Sequence, residues 1–175
     1  MALRREQKSA LAQIAIANTA SLAFIAGAFV LVPFDSSSLE SAADRIAFTL
    51  RWEALAALTL GFGVSRVSLF RMFSARAIDG SAPTADERGL ELGRRYLQNT
   101  LEQLVLAVIA HLALATWLAP DAMRLIPILV TWFVIARIAF FVGYQRNPTA
   151  RILGFAATSL PTLVVLIYDV ARLVW

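Results

Sequence analysis

Five stretches of the chain are apolar for about 20 residues or more, and each is interrupted by polar, glycine or proline positions. They fall at about 10–33, 46–70, 96–118, 122–144 and 152–174. Each is long enough, as an α-helix, to cross a hydrocarbon core of roughly 30 Å. The first stops at Pro33. No internal repeat or low-complexity segment breaks the pattern. Between the second and third stretches, Thr84 is followed three residues later by Glu87, a capping box that predicts a helix start near Ala85. A helix from there to Leu118 would be roughly 50 Å long, at 1.5 Å rise per residue, and must project beyond the membrane. The pattern predicts an all-α integral membrane protein with five spans.

Composition agrees. The 175 residues are 59% hydrophobic, and the mean hydropathy is +0.68, well above the range of soluble domains. No cysteine is present, which excludes disulfides, thiolate metal sites and a cysteine nucleophile. The net charge of +4 rests on 15 arginines and a single lysine. Arginine suits anionic ligands and lipid head groups; a GC-rich genome and the positive-inside rule account for the same bias. The basic residues form no patch interleaved with exposed aromatics, which argues against nucleic acid as a partner. Arg4, Arg5 and Lys8 precede the first span, five arginines lie in 71–95 and two in 145–151, whereas 34–44 carries acids and 119–124 only Arg124. The N-terminus and the two basic loops are therefore expected in the cytoplasm, in a protein of the bacterial inner membrane. The first apolar run is too long for an ordinary signal peptide and reads as a retained span.

Charges inside or beside the spans carry the chemistry. In residues 94–102, Arg-Arg-Tyr-Leu-Gln-Asn-Thr-Leu-Glu, the side chains of Arg95, Asn99 and Glu102 stand at i, i+4 and i+7 on one helix face. Polar groups at the head of a span must bind something or pair with a neighbour. Arg137 lies about two turns inside the fourth span, at a cost of about 2.5–3.5 kcal/mol on insertion scales. It pairs with Glu102, touches a ligand, or does both, since such a pair could wall a site. Tyr144 contacts a ligand or belongs to the aromatic belt of the interface. Arg151 heads the fifth span, where an arginine can also serve only to meet lipid phosphate. Arg71 and Arg76 are weaker candidates for a further basic contact. Arg51 and Glu53 suit helix packing, and His111 suits one interhelical hydrogen bond, with no second His or Cys to complete a metal site. Gly61, Gly63, Gly154 and Ala157 offer close helix contacts.

Arg95-x-x-x-Asn99-x-x-Glu102, followed by Arg137-Ile-Ala-Phe-Phe-Val-Gly-Tyr144-Gln-Arg146-Asn-Pro148-Thr-Ala-Arg151, then Gly154-Phe155 and Leu160-Pro161, resembles the paired signature of the MAPEG family. These are the membrane-associated proteins of eicosanoid and glutathione metabolism, and the Tyr144 to Arg151 interval is similar to the leukotriene C synthase branch. The resemblance covers 45–175 as a four-helix membrane domain and leaves 1–44 as an additional N-terminal helix and loop. It implies a homotrimer with glutathione bound between subunits, Arg151 activating the thiol, and Arg95, Asn99, Glu102, Arg137 and Tyr144 holding the tripeptide. The expected activity is a glutathione-dependent transferase or peroxidase on lipophilic electrophiles that arrive from the bilayer. Gln98, Phe140 and Phe155 stand where some members carry arginine, His or Tyr, and Tyr. Those losses keep open a non-catalytic scaffold, acting as a binding module or accessory subunit. A transporter is less consistent with five spans and no inverted repeat.

Overall fold

The computed structural model describes residues 4–74, 88–147 and 149–174, and five helices carry nearly all of them. They are α1 (Arg5–Leu31), α2 (Ala42–Phe73), α3 (Arg88–Trp117), α4 (Leu125–Arg146) and α5 (Arg151–Val174). Each expected span becomes one helix, extended at one or both ends by polar turns that water or head groups can solvate. The fourth differs most at its start. Pro120–Arg124 forms a 3₁₀ turn first, and α4 then tolerates Pro127 because the first helical turn needs no backbone donor there. The capping box at Thr84 and Glu87 lies outside the described residues.

Local chemistry sets the other helix starts. Ser41 Oγ accepts from the Asp44 N–H at 3.1 Å and caps α2. Gln7 reaches back to the Arg4 N–H at 2.9 Å and holds the first turn of α1.

α2 packs along α3 and α4 along α5, while α1 lies against α4 and α5 on the outside. The main core joins α2, α3, α4 and α5 through Ala56, Leu104, Ala107, Leu114, Ile126, Val130, Phe133 and Val165. A second cluster of alanines, Ala17, Ala136, Ala156 and Ala157, lets α1 approach the α4–α5 pair closely. Large apolar side chains such as Leu22, Leu58, Ile109, Ile138 and Ile167 point outward. In water that surface would drive association; in a bilayer it is the solvent-facing one. By length and composition all five helices can cross a membrane.

Two glycines set helix spacing. A Cβ on Gly63 would stand 3.1 Å from the Tyr96 ring, and one on Gly154 would run into the backbone of Phe140 and Ala136. Gly61, by contrast, has nothing within 4 Å and makes no close contact inside the bundle.

The docking of α1 depends on a proline in another helix. Pro161 sits within α5 and has no N–H to offer the carbonyl of Ala157 four residues earlier. That carbonyl instead accepts from Trp132 Nε1 at 2.9 Å, and the same Nε1–H also reaches Ser21 Oγ at 3.0 Å; the Ser21 hydroxyl donates to the Ala17 carbonyl at 2.7 Å and lies 3.5 Å from that of Ala157. Ser21 and Ala17 are the buried residues of α1. One polar knot among alanines therefore fixes α1.

Candidate functional site

Arg137 is fully buried, and its surroundings explain how a bilayer-depth guanidinium is tolerated. Nη1 donates to Asn99 Oδ1 at 2.8 Å on α3. Nη2 donates to Thr158 Oγ1 at 2.5 Å and to the Gly154 carbonyl at 3.2 Å on α5. Its Cζ lies 4.6 Å from the Phe140 ring centroid, a cation–π contact that adds to the polar ones. Gly154 makes this possible: without a Cβ, α5 comes near enough to α4 for its carbonyl to be reached. Nε has no partner.

The expected pair between Arg137 and Glu102 is not formed. Glu102 is exposed and accepts from Gln98 Nε2 at 2.8 Å, whereas Arg137 takes the amide of Asn99. The reason is rotational. Asn99 and Glu102 differ by three residues, hence by about 60° around the α3 axis. Only Asn99 turns toward α4.

The second constellation centres on Tyr144, which is buried at the end of α4. Arg151 Nη1 donates to its hydroxyl oxygen at 3.0 Å and Arg95 Nη1 at 3.3 Å. The Arg151 Cζ also stands 4.8 Å from the Tyr144 ring centroid. The turn that brings Arg151 back is built by Asn147, whose Oδ1 accepts from the Ala150 N–H at 2.7 Å and the Thr149 N–H at 3.1 Å. Gly143 allows that turn to close, since a Cβ there would meet the Ala150 carbonyl at 2.5 Å. With two guanidiniums donating to its oxygen, the Tyr144 O–H proton is left for another acceptor.

These residues border an open cleft of about 570 Å³, lined by Arg94, Arg95, Asn99, Glu102, Arg151 and Phe155, with Glu91, Gln98, Phe140 and Ile152 completing the wall. The size lies within the roughly 300–1,000 Å³ of small-molecule sites. Arg95 pairs with Glu91 at 2.5 Å, but both side chains are more than half exposed, so the pair holds little energy and can yield to a ligand. Among the described residues Arg151 has no carboxylate partner within ion-pair distance. Phe140 and Phe155 give one side of the cleft an apolar face.

The chain positions of the candidates thus resolve into three groups. Arg95, Asn99, Glu102 and Arg151 line the cleft, Tyr144 ties two of its arginines together, and Arg137 supports Asn99 from beneath. Arg71 is not part of the cleft wall, and Arg76 lies outside the described residues. His111 makes an interhelical bond, Nδ1 to Glu53 Oε1 at 2.5 Å, while Arg51 is exposed. Thr158 and the Gly154 carbonyl enter the site as partners of Arg137 that spacing within single spans does not reveal. The interval Gly154-x-x-x-Thr158 on one face of α5, opposite the only arginine within α4's apolar run, is the signal that marks them.

Residues 46–170 match the MAPEG family. The chain is also 26% identical over 165 residues to Transmembrane protein 79 of Bos taurus, and 28% identical over 167 residues to Transmembrane protein 79 of Mus musculus. Those alignments cover 94% of this chain and 41% of each relative, so the chain spans less than half the length of the relatives it matches. They are longer than the family match and therefore extend into the region of α1. No solved structure matches the chain at a significant level. Since the match runs through every helix that builds the cleft, the chain belongs to the MAPEG family and is an integral membrane protein.

Proposed function

We propose that the cleft binds glutathione and that the protein is a glutathione-dependent transferase or peroxidase acting on lipophilic electrophiles. The observation that carries this reading is the Arg95–Tyr144–Arg151 link at the edge of an open cleft. Glutathione presents two carboxylates, an ammonium and a thiol. Arg94 and Arg95 offer forks for the carboxylates, and Glu102 or Glu91 accepts from the ammonium. Arg151, which has no carboxylate partner among the described residues, stabilises the thiolate without itself giving up a proton, and the Tyr144 O–H is left to donate toward it. Lowering a thiol's pKa by one or two units corresponds to about 1.4–2.7 kcal/mol, within reach of one well-placed guanidinium. Glutathione, when bound, supplies the nucleophilic sulfur; the thiol proton passes to solvent through the open mouth. The apolar faces of Phe140 and Phe155 suit a lipophilic substrate entering from the bilayer.

The distribution of arginines favours a cleft that opens to the cytoplasmic side. The arginine-rich composition fits a GC-rich bacterial genome, whereas the relatives matched are mammalian. Assembly as a homotrimer, with a neighbouring subunit closing the open side of the cleft, follows the family pattern and forms part of the proposal.

A second reading is a glutathione-free binding module or accessory subunit. The aromatic wall and the relatives, whose name specifies only a transmembrane protein, favour it. Calorimetry with glutathione on the detergent-purified protein separates the two. We expect binding that weakens at least tenfold in Arg95→Ala and Arg151→Ala, with the thiolate absorbance lost in Arg151→Ala. Absence of heat at millimolar glutathione from folded protein would eliminate the enzyme reading.

A further inference from the structure

At the end of the bundle opposite the cleft, three ionisable side chains from three helices are enclosed together. Glu53 on α2, His111 on α3 and Asp169 on α5 are 5%, 3% and 6% exposed. His111 Nδ1 meets Glu53 Oε1 at 2.5 Å, and Asp169 lies within electrostatic reach of the same imidazole. Both carboxylate oxygens of Asp169 and the Oε2 of Glu53 are buried without a hydrogen-bond partner.

Fully deprotonated, this trio would bury two negative charges in an apolar setting, at a cost of several kcal/mol per ion. Arg51, two residues from Glu53 on α2, points to the exposed face, and the other nearby cations are committed elsewhere. Arg45 donates to the carbonyls of Ala115 and Glu40, and Arg172 stacks on Trp117. Arg137 is held by Asn99, Gly154 and Thr158, and Arg124 by the carbonyls of Asp121 and Phe29. The charged residues of α1, Arg5, Glu6 and Lys8, lie in its first turns, far from its buried knot with α5. Among the described residues, no group of three His, Asp or Glu side chains is arranged to hold a metal ion. Two protons make the trio neutral.

We propose that Glu53, His111 and Asp169 form a proton-binding centre within the membrane domain, separate from the cleft. One proton is shared between His111 and Glu53, and the other resides on Asp169. His111 also lines a void of about 10 Å³ with Thr158 and Thr162, room for about one water. Thr158 in turn accepts from Arg137. A single water in that void would join the proton centre to the arginine beneath the cleft.

Infrared spectroscopy of the full chain in lipid nanodiscs tests this, comparing H₂O with D₂O at pH 7. We expect a carboxylic-acid C=O band that shifts in D₂O and is lost in Asp169→Asn, but not in the exposed control Asp121→Asn. No such band at pH 7, or one that survives Asp169→Asn, overturns the proposal. A band that appears only when sodium and potassium are removed also overturns it, by making the ligand a metal cation. Should Asp169→Asn fail to fold, ¹³C-carboxyl labelling of aspartate in the wild-type protein decides the same question. A protonated Asp169 moves the acid band with the label, and an ionised one leaves no such band to move.

Discussion

The two ends of the bundle handle buried and half-buried charge in opposite ways. At the cleft, Arg94, Arg95 and Arg151 stand at a solvent-accessible wall, and their contacts are few or exposed. At the other end, Glu53, His111 and Asp169 are sealed among apolar residues with several oxygens unpartnered. Arg137 lies between, fully buried yet bonded on three sides. The difference is one of cost. Water can solvate the cleft arginines until a ligand replaces it, so their charge remains available for binding. Deep in the bundle no such exchange is open, and a charge must be satisfied by the fold or neutralised by a proton.

The sharpest way to break this comparison is to remove the residue that joins the two ends. Arg137→Ala is expected to destabilise the bundle by about 3–5 kcal/mol, since it opens a void and leaves the Asn99 amide oxygen without its donor, while Thr158 keeps its bond to the Gly154 carbonyl; unfolding in mixed micelles measures it. Arg151→Ala in the same assay should stay within about 0.5 kcal/mol of wild type. Equal losses in both would show that the cleft arginines are structural too. Next in size, Gly154→Val should cost about 1–3 kcal/mol through overpacking against α4, and should weaken ligand binding as Asn99 and Arg137 shift. Tyr144→Phe tests the cleft alone: losing one hydrogen-bond acceptor costs about 0.5–1.5 kcal/mol. Its effect should appear as a several-fold drop in thiolate formation in the glutathione-bound protein, with little change in unfolding. Smallest of all, Glu102→Ala is expected to change stability by under about 0.5 kcal/mol, because its carboxylate is exposed and bonded only to Gln98. A large effect would mean that Glu102 pairs with a group absent from the isolated chain, such as a neighbouring subunit.

The five spans are legible in the sequence, because a bilayer admits no backbone without internal hydrogen bonds and so demands long apolar helices. The face carrying Arg95, Asn99 and Glu102 is readable from helical spacing. What spacing does not give is rotation about the helix axis. Arg137 takes Asn99 rather than Glu102 for that reason, although the two acceptors sit one turn apart. Thr158 and Gly154 stay hidden because their role depends on how near α5 comes to α4. Asp169 is a different kind of omission. A lone carboxylate in the last turns of an apolar stretch can be solvated by head groups, and only the fold shows that Asp169 is instead buried, on the helix that packs against the one carrying His111.

The proline in α5 has a mechanical consequence. Because Pro161 frees the Ala157 carbonyl for Trp132, whose Nε1–H also reaches Ser21, α1 is pinned near the middle of its length and by small side chains elsewhere. Its C-terminal end is held as well, where Arg124 donates to the Phe29 carbonyl. The N-terminal turns, whose side chains are exposed or half-buried, are left to tilt, so in thicker or thinner bilayers the first span can absorb mismatch while its junction with α5 stays fixed.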